Sequence, residues 1–495
     1  MLSPHSVNSP HCADELNQAL RFNKSIIPLM HVEEISRQTW QQRHPQGSEA
    51  DWVTYQAKGL HSATSNWPPT LAKLNWINFR EGIDDPAVAL AQLVNTLEER
   101  KAFVHQHTDY LVGALTWQQN QRQPRYLLSG ARRQAAETWL KQAIDEDLPF
   151  AQPTDLHCEF ITESTKYADD QLAQVYLCYA DEDSDLKEAM RRQLDRVMPA
   201  QTPSLSRGVS QLLRRVGFTV WDRRHDLVTG DRIREAVGRG IEGADNFVFL
   251  LSPASVQSSY CLEELNYALS LHKRIVPVLV KPIDPETTPA VLDNVRLIDL
   301  HDTETAANLQ AGSRQLIAIL RQDAAYFRDH KRLLVQALKW ERQRHNPSVL
   351  LHGAERRYYE GWMKAAQQRS LYPPVELQET FVTESLTQPS TQTLDVFLIA
   401  DSEDLDFARR LHNTLQLQSK STWFDQISHS VAGDDRAAVQ EAIESAQNCL
   451  VILSVQTLEN PECLAQINYA HTLNKRLIGV SGWPRGGSAS GALAD

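Results

Sequence analysis

The sequence predicts an α/β protein: parallel sheets covered by helices on both faces, repeated along the chain and joined by α-helical connectors. Three observations predict it. Short, continuously apolar runs alternate with helical patterns between Val175 and Val280, as in strands buried on both faces. A signature running from Leu251 to Asn266 recurs at Leu2 to Asn17 and at Leu453 to Asn468. The stretches between these copies repeat too, and they carry helical periodicity with one apolar face.

In the middle copy, Val175-Tyr176-Leu177-Cys178-Tyr179 is an apolar run that ends in the acidic Asp181-Glu182-Asp183, so it reads as a buried strand entering a loop. Asp185 to Val197 has a helical pattern, broken by an insertion containing Pro199, Pro203 and Ser204. Phe218 to Trp221 is the second strand, followed by a loop to Gly230. A helix opens near Asp231 and ends around Gly243, where the third strand, Asn246 to Leu251, takes over. Tyr260 to His272 is the next helix and Ile275 to Val280 a further strand. In such sheets ligands bind outside the carboxyl ends of the strands. The loops after Tyr179, Trp221 and Leu251 all belong to that edge.

The three signatures align without gaps, and Ser3 to Cys12, Ser252 to Cys261 and Ser454 to Cys463 each span nine positions. Between them, Ala114-Leu115-Thr116-Trp117 matches Ala337-Leu338-Lys339-Trp340, and Leu127 to Ala131 matches Leu350 to Ala354. Helices are predicted over Tyr110 to Asn120, Ala131 to Ile144, Leu333 to Arg344 and Glu355 to Gln367. Trp117 and Trp340 are expected to anchor these helices to a core rather than bind a ligand. The domain plan is a partial copy at 1–80, a connector at 81–170, a complete copy at 171–302, a second connector at 303–390, a third copy at 391–481 and a flexible, Gly/Ser-rich tail at 482–495. The first copy starts at its signature, so it is expected to supply a helix and one strand.

The 495 residues carry a formal net charge of −12, which argues against nucleic acid or an anionic membrane as the main partner. No apolar run reaches the ~18 residues of a membrane span, and the N-terminus does not read as a signal peptide. The six cysteines form no pair with zinc spacing, so no metal site and a reducing cytoplasm are expected. No GxxxxGK[ST] loop is present.

The strand at Val175 to Tyr179 with Ala180-Asp181, the segment Gly217 to Asp222 with Leu227 and Gly230-Asp231, and the run from Leu251-Ser252-Pro253 to Leu265 resemble, in order, the three sequence boxes of the TIR (Toll/interleukin-1 receptor-like) family. The likeness covers the middle copy, most of the third from Leu394 to Val480, and only Met1 to about Leu29 in the first. Alternation with Trp-rich connectors resembles bacterial multidomain signalling or antiviral defence proteins. The resemblance implies a flavodoxin-like parallel sheet of five strands flanked by helices.

It also implies chemistry. Enzymatic TIR domains cleave the nicotinamide–ribose bond of NAD with one glutamate, which by the family pattern falls on Glu264, on Glu15 in the first copy, and on Gln466 in the third. Nicotinamide leaves as a neutral base from a cationic centre, so a lone carboxylate that stabilises an oxocarbenium-like transition state can suffice. NAD is then a substrate, and no cofactor is required. A glutamate in mid-helix is ordinarily a solvated surface residue; the boxes around Glu264 favour the catalytic role, with Glu263 its exposed neighbour and Cys261 a small core residue. Tyr179, Ala180, Trp221, Asp222, Leu227, Gly230 and Ser252 are the expected substrate-binding residues. Arg223 and Arg224 read either as solvated loop residues or as contacts to the NAD pyrophosphate. The alternative function is a non-enzymatic scaffold that signals through TIR–TIR self-association. An exposed Glu264 in an open cleft would contribute little to stability.

Overall fold

The apolar runs of the middle copy become strands that all run parallel. A computed structural model describes residues 1–67, 74–99, 101–146, 151–185, 208–227, 232–284, 287–292, 295–301, 306–387, 394–424 and 436–481. The Pro199 to Ser204 insertion, most of the Asp185 to Val197 helical pattern, Gly230 and the tail at 482–495 lie outside these residues. The chain divides into two units, one of residues 1–126, 136–161 and 188–217, the other of residues 127–135, 162–187 and 218–495.

In the first unit, β1 (Leu29–Met30) pairs in parallel with β2 (Ile77–Asn78), and Leu2 bridges to Met30. One more strand is present than expected, because β2 lies beyond the stretch that resembles the boxes. The Leu2 carbonyl accepts from the amides of His31 at 2.9 Å and Val32 at 3.2 Å. The Leu251 carbonyl of the middle copy accepts from Val280 and Lys281 in the same way, at 3.0 and 3.3 Å. Signature and following strand therefore fold alike in both copies. Connector tryptophans anchor a core here: Trp139 is 1% exposed, its indole N–H donates to the Phe103 carbonyl, and its ring lies 5.3 Å from that of Tyr110. Trp117 packs on Phe160 with centroids 5.7 Å apart.

In the second unit, β3 (Ala173–Cys178), β4 (Val220–Asp222), β5 (Ala244–Leu251), β6 (Arg274–Leu279) and β7 (Ile298–Asp299) form one parallel sheet in the order β4-β3-β5-β6-β7. Val175 sits opposite Val220 on one side and Asn246 on the other. On one face Tyr176 is stacked between Trp221 and Phe247, at 4.9 and 5.3 Å. The Ile233–Glu242 helix closes on that stack so tightly that a Cβ at Gly240 would lie 2.5 Å from the Trp221 ring. Gly240→Ala should therefore destabilise the full chain by about 1–3 kcal/mol, the usual range for overpacking a filled core, read by denaturant unfolding.

The Ala306–Arg321 helix covers β7, where a Cβ at Gly312 would stand 2.4 Å from the Asp299 carbonyl oxygen. The middle copy thus extends beyond the expected boundary at 302. The second connector begins with the Ala324–Arg342 helix, whose Leu334 and Leu338 enter the core of the same sheet. Its buried Lys331 is paired with Asp245 at 2.9 Å and donates to the Ala173 carbonyl at 3.0 Å. Trp340 stacks on His345 at 4.1 Å and packs on Phe381 of the Glu376–Thr387 helix, an anchoring role like that of Trp117.

The third copy repeats the sheet with four parallel strands, β8 (Leu394–Ile399), β9 (Thr422–Phe424), β10 (Ala446–Leu453) and β11 (Arg476–Ser481), in the matching order β9-β8-β10-β11. The likeness reaches single hydrogen bonds. Asn246 donates to the Gln174 carbonyl, as Asn448 does to that of Asp395, at 2.9 and 3.0 Å. Lys273 donates to the carbonyls of Glu242 and Ala244, as Lys475 does to those of Glu444 and Ala446. Trp423 stacks on Phe397 at 5.1 Å where Trp221 stacks on Tyr176. These shared links maintain the fold, and what differs between the copies is informative about the site.

Candidate functional site

Parallel strands bring the ends of β3, β4, β5 and β6 to one edge of the sheet, and there the charged residues of the middle copy meet. Asp181–Asp185 forms a tight turn after β3, shaped by the amide of Asp183 donating to the Ala180 carbonyl at 3.0 Å. Ser252, just after β5, caps the short helix Pro253–Gln257 through a reciprocal hydrogen-bond pair with Ser255. Its hydroxyl also donates to the buried Asp183 carboxylate, whose other oxygen takes Lys281 from beyond β6 at 2.9 Å. Three loops are locked by this one carboxylate.

A second lock joins β3 to β4. The Tyr179 hydroxyl donates to Asp222 at 2.7 Å, and both residues are buried. The Asp222 amide in turn donates to Asp226 at 2.7 Å, and Asp226 is ion-paired with Lys166, which is itself almost fully buried. Burial pushes the Asp226 carboxyl up, against the opposing pull of Lys166. Leu227 packs its side chain against the sheet core. The lock holds the segment that begins at Arg223.

Glu264 comes from the Ser259–Ser270 helix, which starts where Ser258 caps the amide of Cys261. Glu263 is exposed, as expected, while its neighbour Glu264 is only 7% exposed. The Glu264 carboxylate is ion-paired through Oε1 with the Arg223 guanidinium, and its Oε2 is buried without a hydrogen-bond partner. Arg223 also reaches the exposed Asp181, at 3.9 Å. Burial is the largest single influence and works against the Arg223 charge, but Glu264 together with Asp181 and the other neighbouring groups raises the guanidinium pKa. Burial and the same carboxylate push the Tyr176 phenol well above its ordinary value. Cys178 is likewise pushed up, by burial first and then by its contacts with Cys261 and Glu264. Cys261 is a fully buried core residue, as expected.

The expected site residues therefore divide. Glu264 stands at the carboxyl edge with Arg223 beside it. Tyr179 and Asp222 hold each other and fix that edge. Ala180 is 2% exposed and shapes the turn, Ser252 is wholly buried with its hydroxyl given to Asp183, and Trp221 is sandwiched in the core, so none of these three presents a surface to substrate in this structure. Gly230 lies outside the described residues. The expectation of an open, exposed Glu264 is corrected, because the arginine covers it. Arg223 as the partner of Glu264 was the residue that sequence reasoning undervalued. One signal was available: in the third copy Gln466 replaces Glu264, and the residue following the β9 strand is Asp425, then Gln426, with no cation at either.

Among the described residues, no cluster of His, Cys, Asp and Glu could hold a metal ion, and no helix is long and apolar enough to cross a membrane. Glu15 of the first copy is exposed on the Pro10–Arg21 helix.

A family model described as "TIR domain" matches residues 204–317 and 396–482. A curated relative from Bacteroides thetaiotaomicron, named 2' cyclic ADP-D-ribose synthase BtTIR, is 29% identical over 98 residues, 18% of this chain. The match spans about a third, 34%, of that relative's length. Among solved structures, the TIR domain of the Toll-related receptor TRR-2 from Hydra magnipapillata is 21% identical, with 30% of this chain and 99% of that one covered and a TM-score of 0.23. A metazoan TIR-STING receptor from C. gigas is 14% identical, with 63% and 90% covered and a TM-score of 0.21. Likeness at those scores carries no functional argument.

Proposed function

Because this chain is a TIR-domain protein, we propose that its complete middle copy cleaves NAD at the nicotinamide–ribose bond, with Glu264 as the catalytic carboxylate. The observation that carries this reading is the Glu264 side chain: a carboxylate held at the carboxyl edge of a parallel sheet, desolvated, with one buried oxygen that has no hydrogen-bond partner. Buried polar atoms are rarely left unsatisfied unless a ligand or a chemical role accounts for them. A substrate ribose would supply hydroxyls to Oε2. As the bond to nicotinamide lengthens, positive charge develops on the ribose, and a nearby carboxylate in a site of low dielectric stabilises it. The leaving group departs as a neutral base, so no general acid is required. Water or a ribose hydroxyl then completes the reaction, giving ADP-ribose or a cyclic product. The relative named as a cyclic ADP-ribose synthase supports NAD as the substrate class.

The test is chromatographic measurement of free nicotinamide from NAD incubated with the purified full chain over a protein dilution series. Release that rises with concentration is expected, since self-association of TIR copies would position the loop after β4. Glu15→Ala should change neither release nor thermal midpoint, because Glu15 is exposed on a copy whose described sheet has two short strands. A loss of release in a folded Glu15→Ala protein would assign the first copy a catalytic part.

One observation favours a second reading, a TIR scaffold. The third copy keeps the strand order and the hydrogen bonds of the middle copy while Gln466 replaces the carboxylate, which is what a packing or binding module needs. The two readings are compatible in one chain, with the middle copy acting and the third assembling.

A further inference from the structure

Arg223 occupies the place from which a cationic group would be held next to Glu264. Its guanidinium engages Oε1, and its side chain keeps 21% of its exposure to water. Asp181, the other carboxylate it reaches, is 75% exposed, so the arginine lies on a path from the buried carboxylate to the rim of the sheet edge. A carboxylate so paired has its charge largely compensated, and its hydrogen-bonding oxygen is shared with the guanidinium. Neither condition suits stabilisation of a cationic ribose. The pair must part before Glu264 can act, and parting a desolvated ion pair is costly unless each partner gains a replacement. A diphosphate is such a replacement, because guanidinium binds phosphate oxygens through two parallel hydrogen bonds.

We propose that Arg223 is an anion-exchange gate: it leaves Glu264 for the diphosphate of the incoming substrate, so the site admits N-ribosyl pyridinium compounds that carry a diphosphate and discriminates against ribosides without one. The inference rests on the reading of Glu264 as the carboxylate that faces the ribose. The chain contains its own comparison. The third copy, which keeps the fold-maintaining links, has lost the carboxylate to Gln466 and has no cation at Asp425 or Gln426. In the first copy Glu15 is exposed and stands in no described ion pair. A buried glutamate and an arginine to cover it occur together in the middle copy, whereas the Ser252–Asp183 and Ser454–Asp404 locks occur in the middle and third copies alike.

The gate can be tested without turnover. Calorimetric titration of the full chain with ADP, and with adenosine as the uncharged control, should give weak ADP binding in the wild type. In Glu264→Gln the arginine has lost its internal anion, so ADP should bind at least about tenfold more tightly, within the usual range of coupling between sites. Adenosine binding should not change. Adding Arg223→Gln to Glu264→Gln should remove the gain, and Arg223→Lys should restore part of it. Unchanged ADP affinity in Glu264→Gln, or an equal gain for adenosine, would overturn the gate. With turnover, wild type should prefer NAD strongly to nicotinamide riboside, and Arg223→Gln should shrink that ratio, whereas a merely structural loss would lower both rates alike. If ADP tightens as described and no protein releases nicotinamide, the gate stands and the cleavage reading fails. If nicotinamide is released and ADP does not tighten, the cleavage reading stands and the gate fails.

Discussion

Glu264→Gln is expected to lower nicotinamide release from NAD by at least about 10²-fold, the loss typical when one charge-stabilising group is removed from a preorganised site. Glutamine has nearly the shape of glutamate, so the helix Ser259–Ser270 and the core beneath it, including Cys261 and Leu265, keep their packing. What is lost is the charge. The variant should also unfold somewhat more easily, because Arg223 loses its ion-pair partner. A drop of about 1 kcal/mol is expected, small because the guanidinium can turn toward Asp181 and water. Release from the variant equal to that of the wild type would remove Glu264 from the mechanism.

The second large effect concerns stability. Arg223→Ala should destabilise the full chain by about 3 kcal/mol, the lower end of the cost of removing one partner from a buried ion pair. The lower end applies because the arginine keeps 21% of its side-chain exposure while Glu264 keeps 8%. The variant leaves a desolvated carboxylate with no counter-ion, and its Oε2 already has no hydrogen bond. Chemical unfolding measures this, and an absent deficit would mean the pair is not a buried one. The double variant Arg223→Ala with Glu264→Gln should recover much of the loss, since neither charge then remains.

Much of this was legible in the sequence because it depends on local pattern. Apolar runs such as Asn246 to Leu251 gave strands, and the repeated signature gave equivalent segments, whose serines Ser3, Ser252 and Ser454 the structure shows as caps, each with its side chain accepting an amide three residues on. The exposed position of Glu263 was also legible, whereas the burial of Glu264 was not, because an open cleft was expected around it. The contacts that define the site were not legible in the same way. Arg223 and Glu264 are 41 positions apart, and Ser252 and Asp183 are 69 apart. Local pattern cannot say which carboxylate a loop arginine will meet. Trp221 illustrates the same limit from the other side: an aromatic at a strand end beside the site looks available to a ligand, and only the Tyr176 stack and Gly240 reveal that its ring is already covered. Loss of both Arg223 and Glu264 from the third copy was the one clue in the sequence that they work together.

Catalysis by Glu264 is tested most directly by following the NAD signals by proton NMR in real time, with full-length wild type and Glu264→Gln matched for assembly state by sedimentation. Wild type is expected to liberate free nicotinamide, and the variant, equally folded and equally assembled, almost none. Intact NAD in the presence of assembled wild type would contradict it and leave the chain a scaffold.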